Sequence, residues 1–181
     1  MPKKREKQVA VVRCNGGGHR KMKTDPGAWA GNCAQIAEAY PDGIAECAFG
    51  CLGGGSCAEA CRAGAVYLDP GRVARIDREK CLGCGRCVKA CPQGIIGLAL
   101  AENTLAPRCA NRAPGAQARK QCAVSCLACR ICEKNCPAEA IAVIDHCAVI
   151  DQKTCIACGL CAVKCPRGVI LDADGIFAAL G

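Results

Sequence analysis

Cys81-Leu-Gly-Cys84-Gly-Arg-Cys87-Val-Lys-Ala-Cys91-Pro92 is the stretch on which the reading of this chain turns, and its spacing occurs three times. Cys126 to Pro137 and Cys155 to Pro166 repeat it as C-x2-C-x2-C-x3-C-P. Three cysteines separated by two residues let one short loop curl around a single object and offer it three thiolates. The fourth, on the helix that follows, points toward a neighbouring site. The proline then suits a sharp exit that needs no amide donor.

This is the ligand run of bacterial [4Fe-4S] ferredoxins, and it points to electron transfer. C-x2-C pairs also hold structural zinc, so a zinc-held interaction module is the rival from another class. Three complete runs weigh against it. The chain has 21 cysteines in 181 residues and only 3% aromatics. With Trp29, Tyr40, Phe49, Tyr67 and Phe177 as its large rings, it has little apolar bulk for a core, so metal clusters must organise much of it.

Cysteine richness could also mean a secreted disulfide scaffold. The N-terminus MPKKREKQVAVVRC lacks an apolar stretch of signal-peptide length, and an odd cysteine count forbids full pairing within the chain. A reducing, cytoplasmic setting fits better. The longest apolar run, near Ile95 to Ala101, is far short of the roughly 20 residues that span a bilayer, so membrane contact is expected only through partners. The formal charge of +8 counts every thiol as neutral. Four [4Fe-4S] clusters held by thiolates would offset about eight positive charges. With no aromatics interleaved among the scattered basic residues, no nucleic-acid partner is expected. The run Lys3, Lys4, Arg5 and Lys7 reads as a solvated tail.

The chain is written as two halves on one plan. Cys47, Cys51, Cys57 and Cys61 match Cys122, Cys126, Cys132 and Cys136 at identical offsets, and Arg13-Cys14-Asn15 answers Arg108-Cys109-Ala-Asn111. One position breaks the repeat: Gly54 stands where the second half has Cys129. The Gly53-Gly54-Gly55 stretch superficially suggests a phosphate loop, but no strand precedes it and a cysteine closes it. Ala65 to Leu68 and Val73 to Ile76, about Asp69-Pro70-Gly71, read as a hairpin. Ala140 to Ile144 and Cys147 to Ile150, about Asp145-His146, read as a second. The expected fold class is α+β, as tandem two-cluster [4Fe-4S] ferredoxin-like modules. The segments are an N-terminal 1–46, a first module 47–102, a linker 103–121, a second module 122–172 and a C-terminal tail 173–181.

In two-cluster ferredoxins the fourth cysteine of each run ligates the other cluster. That rule assigns Cys47, Cys51, Cys57 and Cys91 to a first cluster, with Cys47 substituting for the ligand missing at Gly54. Cys61, Cys81, Cys84 and Cys87 form the second. Cys126, Cys129, Cys132 and Cys165 form the third, and Cys136, Cys155, Cys158 and Cys161 the fourth. Cys14, Cys33, Cys109, Cys122 and Cys147 are left over, read as buried small apolar side chains, with a further metal as the alternative. His19 and His146 read as surface histidines. No catalytic residue is visible: no carboxylate pair, no nucleophile beside a base and no dinucleotide fingerprint.

The order Val12-Arg13-Cys14, then Cys47-Ala-Phe-Gly-Cys51-Leu-Gly-Gly-Gly-Ser-Cys57, then ferredoxin runs, then Cys122-Ala-Val-Ser-Cys126-Leu-Ala-Cys129 and Ala148-Val-Ile-Asp151, resembles the polyferredoxin part of the B subunit of the Rnf electron-transport complex. The likeness runs from about Val9 to Ile170. It implies an electron-entry subunit that accepts electrons from reduced ferredoxin and passes them toward a membrane complex that reduces NAD and moves ions. Two features of that family, an N-terminal hydrophobic anchor and a separate four-cysteine domain, are not seen in this sequence, which is read as a truncated or split subunit or a relative serving another partner. A peripheral position at the cytoplasmic face of the inner membrane would follow. A polyferredoxin subunit of a hydrogenase, formate dehydrogenase or related enzyme is the alternative.

Overall fold

A computed structural model describes residues 6–25 and 31–173. Trp29, Phe177, the basic residues Lys3, Lys4 and Arg5 and the tail beyond 173 lie outside them. The first half runs β1 (Gln8–Val12), α1 (Cys33–Ala39), α2 (Ser56–Glu59), β2 (Val66–Leu68), β3 (Ala74–Ile76), α3 (Arg86–Ala90) and β4 (Ile96–Leu100). The second runs β5 (Leu105–Pro107), α4 (Gly115–Gln121), α5 (Ile131–Lys134), β6 (Ile141–Ile144), β7 (Cys147–Ile150), α6 (Leu160–Val163) and β8 (Ile170–Asp172).

Each half pairs its first strand with its last and carries a hairpin between two short helices. β1 lies antiparallel to β4 with Val9 opposite Ala99 and Val12 opposite Ile96, and β5 lies antiparallel to β8 with Leu105 opposite Asp172. β2 pairs with β3, and β6 with β7. The β6–β7 turn takes both Asp145 and His146 through positive φ, at 47° and 62°, as a two-residue turn matched to strand twist requires. In the first hairpin Asp69 does the local work: its carboxylate accepts the Val73 amide at 2.9 Å and pairs with Arg75 at 2.7 Å.

This pairing crosses the expected segment boundaries. β1, inside the supposed N-terminal segment, is the edge on which β4 closes. β5 and α4 occupy most of the supposed linker, and β5 closes the second half through β8. A strand three residues long in an Ala-, Arg- and Pro-rich stretch leaves little periodic signal. The hydrophobic residues are correspondingly few. Val9, Val12, Val73, Ile95 and Ile96 pack in one half and Leu105, Ile141, Val169 and Ile170 in the other, each set interleaved with buried cysteines.

α1 holds the place in its half that α4 holds in the other, but α1 carries a cysteine and α4 has none. Asn32 caps α1, its side chain accepting the amides of Ala34 and Gln35 at 3.0 and 3.1 Å, while the Gln35 side chain accepts the Asn32 amide at 2.9 Å. This reciprocal box fixes where the helix starts, and Cys33 is its first residue. Replacing Asn32 with Ala should cost about 1 kcal/mol, read as a lower denaturant midpoint for the anaerobically purified protein. Asn32→Gly should cost only a few tenths.

Candidate metal centres

Four loops share one backbone course. In Cys81-Leu-Gly83-Cys84-Gly85, φ is 62° at Gly83 and 73° at Gly85. The same pair of left-handed residues recurs at Ala128 and Arg130, at Ala157 and Gly159, and at Gly53 and Gly55. Left-handed residues alternating along a loop turn successive amides toward its hollow, a backbone concavity suited to an anion. The first loop keeps this shape although it lacks the middle cysteine.

The hollows are ringed by thiols. One cavity is lined by Cys126, Cys129, Cys132 and Cys165 among Val143, Ala148, Val169 and Ile170. Its counterpart in the first half is lined by Cys51, Cys57, Cys91 and Cys33 among Val12, Leu52 and Ile96. Thus Cys91 and Cys165, the last cysteines of their runs, lie with the loops of the other runs. Cys81, Cys87 and Cys61 share one core cluster, and Cys87 is pushed up by burial and then by the neighbouring Cys81 thiolate, with Cys61 adding to it. Cys161 is pushed up to about 12 by burial first and then by Cys155, with Cys132 and Cys158 also near. Cys136 and Cys155 pack against the same core as Cys161. Cys84, Cys129 and Cys158, the middle cysteines, are exposed.

Cys47, expected among the ligands of the first cluster, does not line the first cavity. The fourth thiol there is Cys33, carried in on the first turn of α1. Gly54 explains the exchange. A Cβ at this position would lie 2.6 Å from the Cys33 amide nitrogen and 2.7 Å from the Asn32 carbonyl carbon. The Cys33 amide donates to the Ser56 hydroxyl at 2.9 Å, pinning the helix start over the loop. Where the second half has Cys129, the first has a glycine, and the start of α1 occupies the room a side chain there would need. Cys57 registers the arrival: burial, then Cys51, Cys33 and Cys91, push its thiol up to about 12.

Such crowding is unfavourable for bare thiolates, since each raises the pKa of the next. It suits a cationic iron core, and several features of the chain fit one. Ala65, Ala140 and Val169 each donate an amide to the sulfur of the cysteine four residues earlier, Cys61, Cys136 and Cys165, at 3.3 Å, and Ala10 donates to Cys81 at 3.3 Å. Hydrogen bonds to ligating sulfur favour its charged form and tune reduction potential. Among the described residues no three His, Cys, Asp or Glu side chains are arranged to hold a single metal ion. When bound, [4Fe-4S] clusters would supply the one-electron redox change. The protein's share is thiolates, amide donors and an apolar wall against water.

Comparison with known proteins agrees. The family described as 4Fe-4S binding domain matches residues 74–97 and 148–171, which hold the Cys81 and Cys155 runs. The B subunit of the ion-translocating oxidoreductase complex of Methanosarcina acetivorans is 35% identical over 82% of this chain and 56% of that protein. The B subunit of the proton-translocating ferredoxin:NAD(+) oxidoreductase complex of Clostridium ljungdahlii is 37% identical over 81% of this chain and 51% of that protein. The chain therefore spans about half the length of these curated relatives. A solved formate dehydrogenase, heterodisulfide reductase and formylmethanofuran dehydrogenase complex from Methanospirillum hungatei contains a chain 20% identical over 67% of this one and 51% of its own length, with a TM-score of 0.27, a likeness too slight to specify a shared arrangement.

Two substitutions test the first centre. Cys33→Ala should remove about four iron, or about one if a three-iron cluster survives. Gly54→Ala, which leaves every cysteine in place, should lower iron content at the same centre and cost roughly 1–3 kcal/mol by overpacking. Full iron in both variants would return the fourth ligand to another residue. By the sequence match and the 4Fe-4S binding domains it carries, the chain is a relative of the B subunits of ion-translocating oxidoreductase complexes.

Proposed function

We propose that this chain is an iron-sulfur electron-transfer subunit that conducts electrons through at least four [4Fe-4S] clusters, from reduced ferredoxin toward an Rnf-type, NAD-reducing, ion-translocating membrane complex. The observation that supports the reading is that the last cysteine of one run lies at another run's loop, Cys91 with Cys51 and Cys57 and Cys165 with Cys126, Cys129 and Cys132. The ligand sets are Cys33, Cys51, Cys57 and Cys91; Cys61, Cys81, Cys84 and Cys87; Cys126, Cys129, Cys132 and Cys165; and Cys136, Cys155, Cys158 and Cys161. The name of the Clostridium relative, a ferredoxin:NAD(+) oxidoreductase subunit, supports ferredoxin as donor and NAD as the eventual acceptor. No helix among the described residues is long and apolar enough to cross a membrane. Contact with the membrane through partner subunits, at its cytoplasmic face, is part of the same proposal.

The exposed ends of this path are the second and fourth sites. Leu82 and Ile156, each following the first cysteine of its run, are 77% and 64% exposed, whereas the equivalent Leu52 is 5% exposed. Apolar side chains beside an exposed middle cysteine give a redox partner a surface close to the ligands.

Anaerobically purified protein should show a broad visible absorption bleached by dithionite and by reduced ferredoxin, with at least about 16 iron and 16 sulfide per chain. Stoichiometric zinc with little iron would overturn the reading. Leu82→Asp or Ile156→Asp should slow reduction by ferredoxin at least several-fold in one of the two variants, with iron content unchanged. Equal rates in wild type and both variants would move the docking surface elsewhere.

A further inference from the structure

The cysteines left over by the ferredoxin pattern are not scattered. Cys14, Cys47, Cys109 and Cys122 line one cavity between the two halves. It is ringed by four thiols, as are the cavities lined by Cys33, Cys51, Cys57 and Cys91 and by Cys126, Cys129, Cys132 and Cys165. The four thiols come from equivalent positions in the repeat: Cys14 answers Cys109, and Cys47 answers Cys122. Each half supplies two, so the site has a pseudo-two-fold axis and is incomplete in either half alone. The chain is pinned at this seam. Lys21 donates its amide to the Gln121 carbonyl at 3.0 Å, and Ala123 donates to the His19 carbonyl at 2.9 Å.

The charges there are unusual. Arg13, Arg20 and Arg108 all line the cavity, and no carboxylate does. Arg20 is 7% exposed, with one guanidinium nitrogen donating to the Cys51 carbonyl, while its Nε and that of Arg108 are buried without a hydrogen-bond partner. A buried cation is costly unless paired. A four-thiolate [4Fe-4S] centre, about 2− in its 2+ core state, is an anion of the right sign for such a wall.

We propose that Cys14, Cys47, Cys109 and Cys122 bind a fifth [4Fe-4S] cluster that joins the two halves into one continuous electron path. The proposal rests on the cluster reading above. Its neighbours place it in the middle of the chain of sites. Cys47 and Cys122 each precede by four residues a ligand of the adjoining site, Cys51 or Cys126. The Cys126 amide donates to the Cys109 sulfur at 3.4 Å, and Cys51 is pushed up chiefly by burial, with Cys14 also opposing its ionisation. Electrons then pass from the second site to the first, across the seam to the third and on to the fourth, or in reverse. One cysteine, Cys147, remains outside every set. Its sulfur donates to the Asn111 carbonyl at 2.9 Å and lies beside Cys109 and Cys126.

Iron, sulfide and zinc counts on the full chain, reconstituted anaerobically to constant iron content, test this. The expected result is about 20 iron and 20 sulfide with no zinc. Cys122→Ala should fall to about 16 iron, or about 19 with the electron paramagnetic resonance signal of a three-iron cluster, and Cys147→Ala should keep the full count. A wild-type count of about 16 iron, with or without one zinc, overturns the fifth cluster and leaves the four-cluster reading standing. Little iron overturns both. Should Cys122→Ala fail to fold, the wild-type count decides alone.

Discussion

The cost of ionising buried thiols, increased by the repulsion among those gathered closely, is the constraint on which this structure depends. Cys57, Cys132 and Cys161 are each held well above the ordinary thiol range, first by burial and then by other cysteines. Ionising such groups together requires a cationic core to bind them. The folded arrangement is thus coupled to metal: ligand thiols must lose protons to bind, and the binding energy becomes folding energy. Small side chains and short strands are enough for such a chain because the clusters provide much of the bulk that Phe, Leu and Trp provide elsewhere.

Gly54 shows how a repeat diverges without losing its cofactor site. The first half keeps the loop's left-handed residues at Gly53 and Gly55. It has given up the middle thiolate, and α1 delivers Cys33 in its place. The exchange holds three parts together: the capping box at Asn32, the hydroxyl of Ser56 and the missing Cβ at Gly54. A ligand from a separate segment ties that segment's position to the state of the cluster, whereas Cys129 in the second half is local to its own loop.

The seam between the halves follows from the same repeat. Two like units with Arg-Cys and Cys-x3-Cys elements in equivalent places, brought face to face, converge four thiols and several arginines on one point. Buried guanidinium groups there are hard to account for as structural ion pairs, because no carboxylate lines the cavity. An anionic centre satisfies them and gives electrons a route between units that would otherwise be separate.

The sequence by itself determined what depends on neighbours along the chain. Spacing within a loop names the cofactor, because three thiolates two residues apart have few other uses. Alternating short apolar stretches around Asp69-Pro70-Gly71 and Asp145-His146 name the hairpins, and the identical offsets from Cys47 and Cys122 name the repeat. Only the tertiary structure decided which distant segments meet. Cys33 and Cys47 are both unclaimed cysteines upstream of Cys51, and proximity in sequence favoured Cys47. The course of α1, set by a cap and by the room above Gly54, carries Cys33 to the first cavity and leaves Cys47 to face Cys122 across the seam. β1 and β5 were hidden for the same reason. A strand of three to five residues is stabilised by a partner some 65 to 90 positions away, and no local pattern records that contact.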